Sequence, residues 1–268
     1  MRVFKYWNIA ETTVLIDGVE KLLSCYGGSN HSESDALTDG HQRLEAVKRR
    51  IAGTERGKGP DYEADIREEP LLWIEDRDVI TRNRYGAEVL NSTSLIFVDI
   101  DEPVFRIWQL FRRIRSREEK KQAILEFVDR RIKQRDLQGF GIRVYETHSG
   151  VRLILEGNAL GPKSKEAKSL LRSFHADRLY TTLCRKQNCY RARLTPKPHR
   201  IEMKSLRLSY PYEGGDKNRI DEWIKEYDSK SQAFSTCRLV KTVGSHFASP
   251  VVRYHDERTR ALSKLPLA

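Results

Sequence analysis

Residues 94–100 read SLIFVDI. Leu95-Ile96-Phe97-Val98 is apolar without a break, and the run ends in Asp99-Ile100-Asp101. An unbroken apolar run of this length is the pattern of a central strand buried on both faces. Side chains two apart on a strand share a face. Asp99 and Asp101 therefore present two carboxylates together at the strand's end. Such a pair suits one or two hard divalent cations, Mg2+ or Mn2+, completed by water and substrate phosphate. The same pair can also serve as strand-end caps, or as an N-cap for a helix after Pro103.

Working outward, residues 141–147 (GIRVYET) and 151–156 (VRLILE) pair around His148-Ser149-Gly150. The turn is small and polar, so its backbone N–H groups can approach a phosphate. Arg152 just beyond can add a bidentate contact. An ordinary hairpin turn has the same composition. Between these strands and Asp101, a helix is expected from about Phe105 to Arg135, or two helices broken near Ser116. Its excess of basic over acidic side chains suits a solvated face or a phosphate backbone.

Downstream, Ser164 to Ser173 reads as a short helix, and another begins near Asp177. Residues 184–204 hold seven Lys or Arg and one acid, Glu202. Arg191 and Arg193 sit two apart with Tyr190 beside them, a pattern suited to a nucleic-acid backbone or base. Cys184 and Cys189, with His199 and distant Cys237, form an incomplete zinc set. Buried thiols explain them equally. A helix is expected from Ile220 to Tyr227 with Trp223 as its buried anchor, followed by a weakly patterned basic tail.

Upstream, residues 2–9 and 12–16 read as strands turning at Asp17-Gly18, a strong hairpin signal. A third strand runs from Lys21 to Tyr26 and stops at Gly27-Gly28. Ser32 ahead of Asp35 is an N-cap for a helix reaching about Ile51. Residues 53–62 (GTERGKGPDY) read as a mobile loop, since no GK[ST] run marks them as a phosphate cradle. A short helix near Leu71–Ile74 precedes a strand pair, Arg77 to Leu90, turning at Tyr85-Gly86. The implied units are 1–90, an N-terminal α+β unit; 91–212, the core; and 213–268, a helical C-terminal tail.

Composition bounds the function. The 268 residues carry a net charge of +11, which points to a polyanionic partner, nucleic acid first and DNA ahead of RNA. No apolar run spans a bilayer and the N-terminus lacks a secretory h-region, so no membrane partner and a cytoplasmic location are expected. Four cysteines without such a leader fit a reducing compartment.

Taken in order, these segments resemble the archaeo-eukaryotic primase superfamily, the primase-polymerase core. The family's first motif is an apolar strand ending in Asp-x-Asp, matched by Phe97-Val98-Asp99-Ile100-Asp101. Its second is a Ser-Gly turn leading to a His, matched by Thr147, Ser149 and Gly150, with Leu153 where the His stands. Its third is an Asp followed by an Arg, a Pro and a His, matched by Asp177, Arg193, Pro196 and His199. The resemblance spans roughly residues 94–202. It implies an α+β fold with a mixed sheet like a primase palm. It implies metal-dependent nucleotidyl transfer on a template, with Asp99, Asp101 and Asp177 as catalytic metal ligands and Mg2+ or Mn2+ as cofactor. Ser149, Arg152, Arg191, Arg193 and His199 would contact the phosphates of nucleic acid or of a nucleoside triphosphate. A module that binds nucleic acid without catalysis, or a metal-dependent nuclease, would use the same residues. Residues 80–91 (ITRNRYGAEVLN) and 189–198 (CYRARLTPKP) also resemble a family of uncharacterised bacterial proteins.

Overall fold

The structure, a computed structural model, describes residues 1–54, 63–101, 116–135, 137–158, 160–244 and 249–268. The fold is α+β, with three antiparallel sheets and six α-helices among the described residues.

Strands β1 (Tyr6–Ile16) and β2 (Val19–Ser29) form a two-stranded hairpin, and helix α1 (Glu33–Ile51) packs on it. The turn at Asp17-Gly18 has both residues at positive φ, 52° and 78°, as a tight hairpin requires. The first strand is unbroken where two were expected. The second runs through Gly27-Gly28 instead of stopping there, because α1 lies directly against it. A Cβ on Gly27 would sit 2.0 Å from the Ala36 carbonyl oxygen. Ser32 caps α1, its hydroxyl accepting from the Asp35 N–H at 3.0 Å.

The second sheet has the order β3-β4-β5-β9: β3 (Glu69–Ile74), β4 (Asp78–Arg82), β5 (Glu88–Ser92) and β9 (Tyr190–Arg193). Residues 71–74 are thus strand, not helix. Their short apolar run has no period of its own to choose between the two, and pairing with β4 decides it. The expected unit boundary at 90/91 falls inside β5.

The third sheet has the order β10-β7-β8-β6: β6 (Ile96–Asp101), β7 (Gly141–Thr147), β8 (Gly150–Glu156) and β10 (Cys237–Gly244). All its pairings are antiparallel, so the expected mixed sheet is corrected. The C-terminal segment is not merely a helical tail: β10 completes this sheet beside β7. Its charged Arg238 and Lys241 hid it in the sequence, and they are tolerated because β10 is an edge strand.

One face of this sheet carries α2 (Arg117–Gln134), which Ser116 starts with a full capping box. Lys121 of α2 pairs with Glu146 of β7 at 2.7 Å. Residues 102–115, where the first part of the expected long helix lies, are outside the described residues. The opposite face carries α6 (Pro250–Thr259). There Asp256 accepts from the Tyr145 hydroxyl at 2.6 Å and from Arg143 at 2.9 Å. Helices α3 (Lys165–Ser173), α4 (Arg178–Gln187) and α5 (Lys217–Ser231) complete the set. Trp223 of α5 is half-buried, stacked on Tyr227 with ring centroids 4.7 Å apart.

One continuous core joins the second and third sheets. Ile80 and Leu90 pack with Ile96, Phe97, Val98, Leu153 and Leu155, all buried. No described helix is long and apolar enough to cross a membrane.

Candidate functional site

The antiparallel register of β6 and β8 sets Asp99 opposite Arg152 and Asp101 opposite Gly150. Alternation then separates Arg152 from Leu153. Arg152 joins Asp99 on one face, while Leu153 is fully buried, paired with Val98 and Val144 on the other.

Arg152 binds Asp99 through both carboxylate oxygens, Nε to Oδ1 at 2.8 Å and Nη2 to Oδ2 at 3.1 Å. Its Nη1 donates to the Arg193 carbonyl at 2.9 Å. This ties the end of β9 to the edge of the neighbouring sheet. Burial works against the Arg152 charge, but Asp99 outweighs it and holds the guanidinium more firmly protonated than usual.

A cavity of about 370 Å³ opens beside this pair. Asp99, Asp101, Arg152, Arg193, Lys197 and Arg200 supply its charges, with the hydroxyls of Thr147, Ser149 and Thr236. Arg200 donates to Ser149 Oγ at 3.0 Å. The Nε of Arg193 is buried without a hydrogen-bond partner. Burial first, then the nearby charges of Arg152 and Arg200, push the Arg193 guanidinium down to about 10. Lys197 is lowered in the same way, by burial and by Arg193 and Arg200. The cavity thus holds more positive charge than its carboxylates balance.

Asp101 is shifted the other way. Its side chain reaches solvent, yet desolvation by the cavity wall, then repulsion from Asp99 and Asp177, raise its pKa. A carboxyl raised in the folded state costs stability once ionised, so that cost appears as pH rises. Asp101→Asn is therefore expected to raise the melting temperature at pH 7. The gain should shrink as pH falls toward 4, where the wild-type carboxyl also becomes neutral. Thermal melts of both proteins across that range check this; a gain independent of pH would mean another cause.

The other expected site residues lie around the cavity. Asp177 does not line it. It N-caps α4, its Oδ1 accepting from the Tyr180 N–H at 2.7 Å, and its own N–H donates to the Asp99 carbonyl at 3.2 Å. Arg191 is directed elsewhere, bound to Glu68 at 2.5 Å and to Gln187 at 3.0 Å. A guanidinium so engaged is not available to a phosphate. His199 is exposed on the 3₁₀ turn Pro198–Ile201, outside the cavity lining. Burial and the adjacent cations lower its pKa, so it is neutral at pH 7. The cations that do line the cavity beside Arg193 are Lys197 and Arg200. Their signal was present in the dense basic run 184–204, but only the turn after β9 selects them.

The carboxylates do not fit a divalent-metal clamp as they stand. Arg152 holds both oxygens of Asp99, and Asp177 is committed to its helix cap. Among the described residues, no three His, Cys, Asp or Glu side chains are grouped to hold a metal ion. Cys184, Cys189 and Cys237 are buried free thiols, pushed by burial up to about 11, 12 and 11. They remain protonated at neutral pH, unlike zinc ligands. Compared with protein-family models, with curated proteins and with solved structures, the chain matches none.

Proposed function

We propose that this protein binds nucleic acid through the cavity between β6, β8 and the turn after β9, in the manner of a primase-palm module that binds without catalysis. One observation carries the reading. Arg152, Arg193, Lys197 and Arg200 converge on a single concavity with two carboxylates, one of which is already neutralised by Arg152. Such a surplus in a partly desolvated cavity attracts phosphate. The overall charge of +11 favours a polyanion over a small neutral ligand.

The test is titration of a labelled single-stranded oligonucleotide at several salt concentrations. Binding should weaken steeply with salt. Lys197→Ala with Arg200→Ala should weaken it for all sequences alike, since phosphate contacts carry no base information. Each phosphate contact removed should lower the log–log salt slope by about 0.7. No binding at low salt, or a slope the variant leaves unchanged, would overturn the proposal.

A second reading, nucleotidyl transfer in the primase-polymerase manner, is favoured by the placement of Asp101, whose charge feels both Asp99 and Asp177. It requires Arg152 to give up Asp99. Primer synthesis or extension with Mg2+ or Mn2+ would support it. Protein that binds the template and yields no product would count against it, and release of short fragments would favour a nuclease.

A further inference from the structure

We propose that the cavity is a metal-independent receptor for a phosphomonoester, the terminal phosphate of a nucleotide or of a nucleic-acid strand, with Arg152 as a built-in cation where a metal would otherwise neutralise Asp99. This names the ligand of the site already described and rests on the reading of that site as a phosphate pocket.

The Asp99–Arg152 pair is internally complete. Both carboxylate oxygens are taken, the third arm of the guanidinium is on the Arg193 carbonyl, and Arg152 is 3% exposed. A buried bidentate pair held at three points is a fixed part of the wall. With these two charges cancelled, Arg193, Lys197 and Arg200 face Asp101 alone. Three cations against one carboxylate leave a surplus matched by a dianion. A phosphomonoester carries about −1.5 to −2 at pH 7, whereas each internal phosphodiester carries a single negative charge.

The donors are also those that a terminal phosphate needs. Arg193 has a buried Nε with no partner, and an unmet buried donor is costly until a ligand satisfies it. Lys197 makes no ion pair among the described residues. Ser149 Oγ accepts from Arg200, which leaves its hydroxyl proton to donate outward. Three PO oxygens can meet these three kinds of donor together, which an internal diester with two free oxygens cannot. The floor of the cavity is the buried Arg152, so a group that reaches it enters end-on. The volume of about 370 Å³ admits a phosphate with its sugar, within the usual range for small-molecule pockets.

The experiment is carried out in excess chelator. Inorganic phosphate, a nucleoside 5′-monophosphate, and one short single-stranded oligonucleotide bearing a 5′-phosphate, a 3′-phosphate or neither are titrated into the intact protein. A phosphorylated strand end is expected to bind at least about tenfold more tightly than the unphosphorylated strand, about 1.4 kcal/mol. The monophosphate should compete for the site. Arg193→Gln should abolish the end preference; Lys197→Gln, at a half-buried side chain, should reduce it and serves if the first variant does not fold. Equal affinity for all three oligonucleotides, or a preference that appears only when Mg2+ or Mn2+ is restored, would overturn the inference. The two proposals fail separately. Strand binding without end preference removes this inference and leaves nucleic-acid binding intact. Binding of phosphate and the monophosphate without any strand binding removes the nucleic-acid reading and leaves the receptor.

Discussion

Asp99→Ala is expected to destabilise the fold by about 3–5 kcal/mol, because it strands a buried charge. The Arg152 side chain is 4% exposed and the Asp99 side chain 28%. Removing the carboxylate leaves the guanidinium buried, with only the Arg193 carbonyl as partner. Removing the guanidinium leaves a carboxylate that still touches water. Arg152→Met should therefore cost distinctly less than Asp99→Ala, although both delete the same ion pair. The double replacement, Asp99→Leu with Arg152→Met, should recover most of the loss, since paired apolar groups of similar volume often replace a buried ion pair without penalty. Urea unfolding of the wild type, the single variants and the double variant closes the cycle, with a coupling term of about 0.5–3 kcal/mol. Strictly additive losses would show that the pair does not hold the two sheets together.

Gly150→Ala is expected to cost about 1–3 kcal/mol, the usual range for overpacking, and to weaken phosphate binding at the same time. A Cβ at Gly150 would lie 2.0 Å from the Ile100 carbonyl oxygen and 3.0 Å from its carbon. These are backbone atoms of the paired strand, so no rotamer change relieves the contact. β6 and β8 must separate, and that moves Asp101 away from Ser149 and Arg200. Gly161→Ala is the control, because nothing lies within 4 Å of the Cβ it would carry; it should change stability by no more than about 0.5 kcal/mol. Matched melts and phosphate titrations of both variants decide the matter. Loss of stability with unchanged binding would mean that the Ser149–Gly150 turn does not shape the cavity.

Several elements were legible because their signals are local. The hairpin turn at Asp17-Gly18, the Ser32 and Ser164 caps and the apolar run before Asp99 each depend on residues within one turn or one strand. Turn geometry, capping and two-sided burial act at short range, so neighbours in the chain suffice to specify them. The 71–74 segment and β10 were misread for the complementary reason. Each is a strand only because a partner, β4 or β7, lies beside it. Without that partner, a short apolar run or an edge strand carrying Arg238 and Lys241 has no diagnostic period.

The cavity divides in the same way. Residue types and spacing alone placed Asp99 and Asp101 on one face at a strand end, and drew attention to the Ser149 turn and the basic run 184–204. Pairing register decided what they do. The antiparallel match of β6 with β8 puts Arg152 on both oxygens of Asp99 and sends Leu153 into the core. Tertiary packing likewise commits Arg191 to Glu68 and brings Lys197 and Arg200 to the cavity. A basic run states how much positive charge is present. Which cations meet acids and which are left to bind a ligand depends on contacts between residues far apart in the chain, with Glu68 and Arg191 separated by 123 positions. The Coulomb term between such groups depends on their distance and burial in space, which only the folded chain sets.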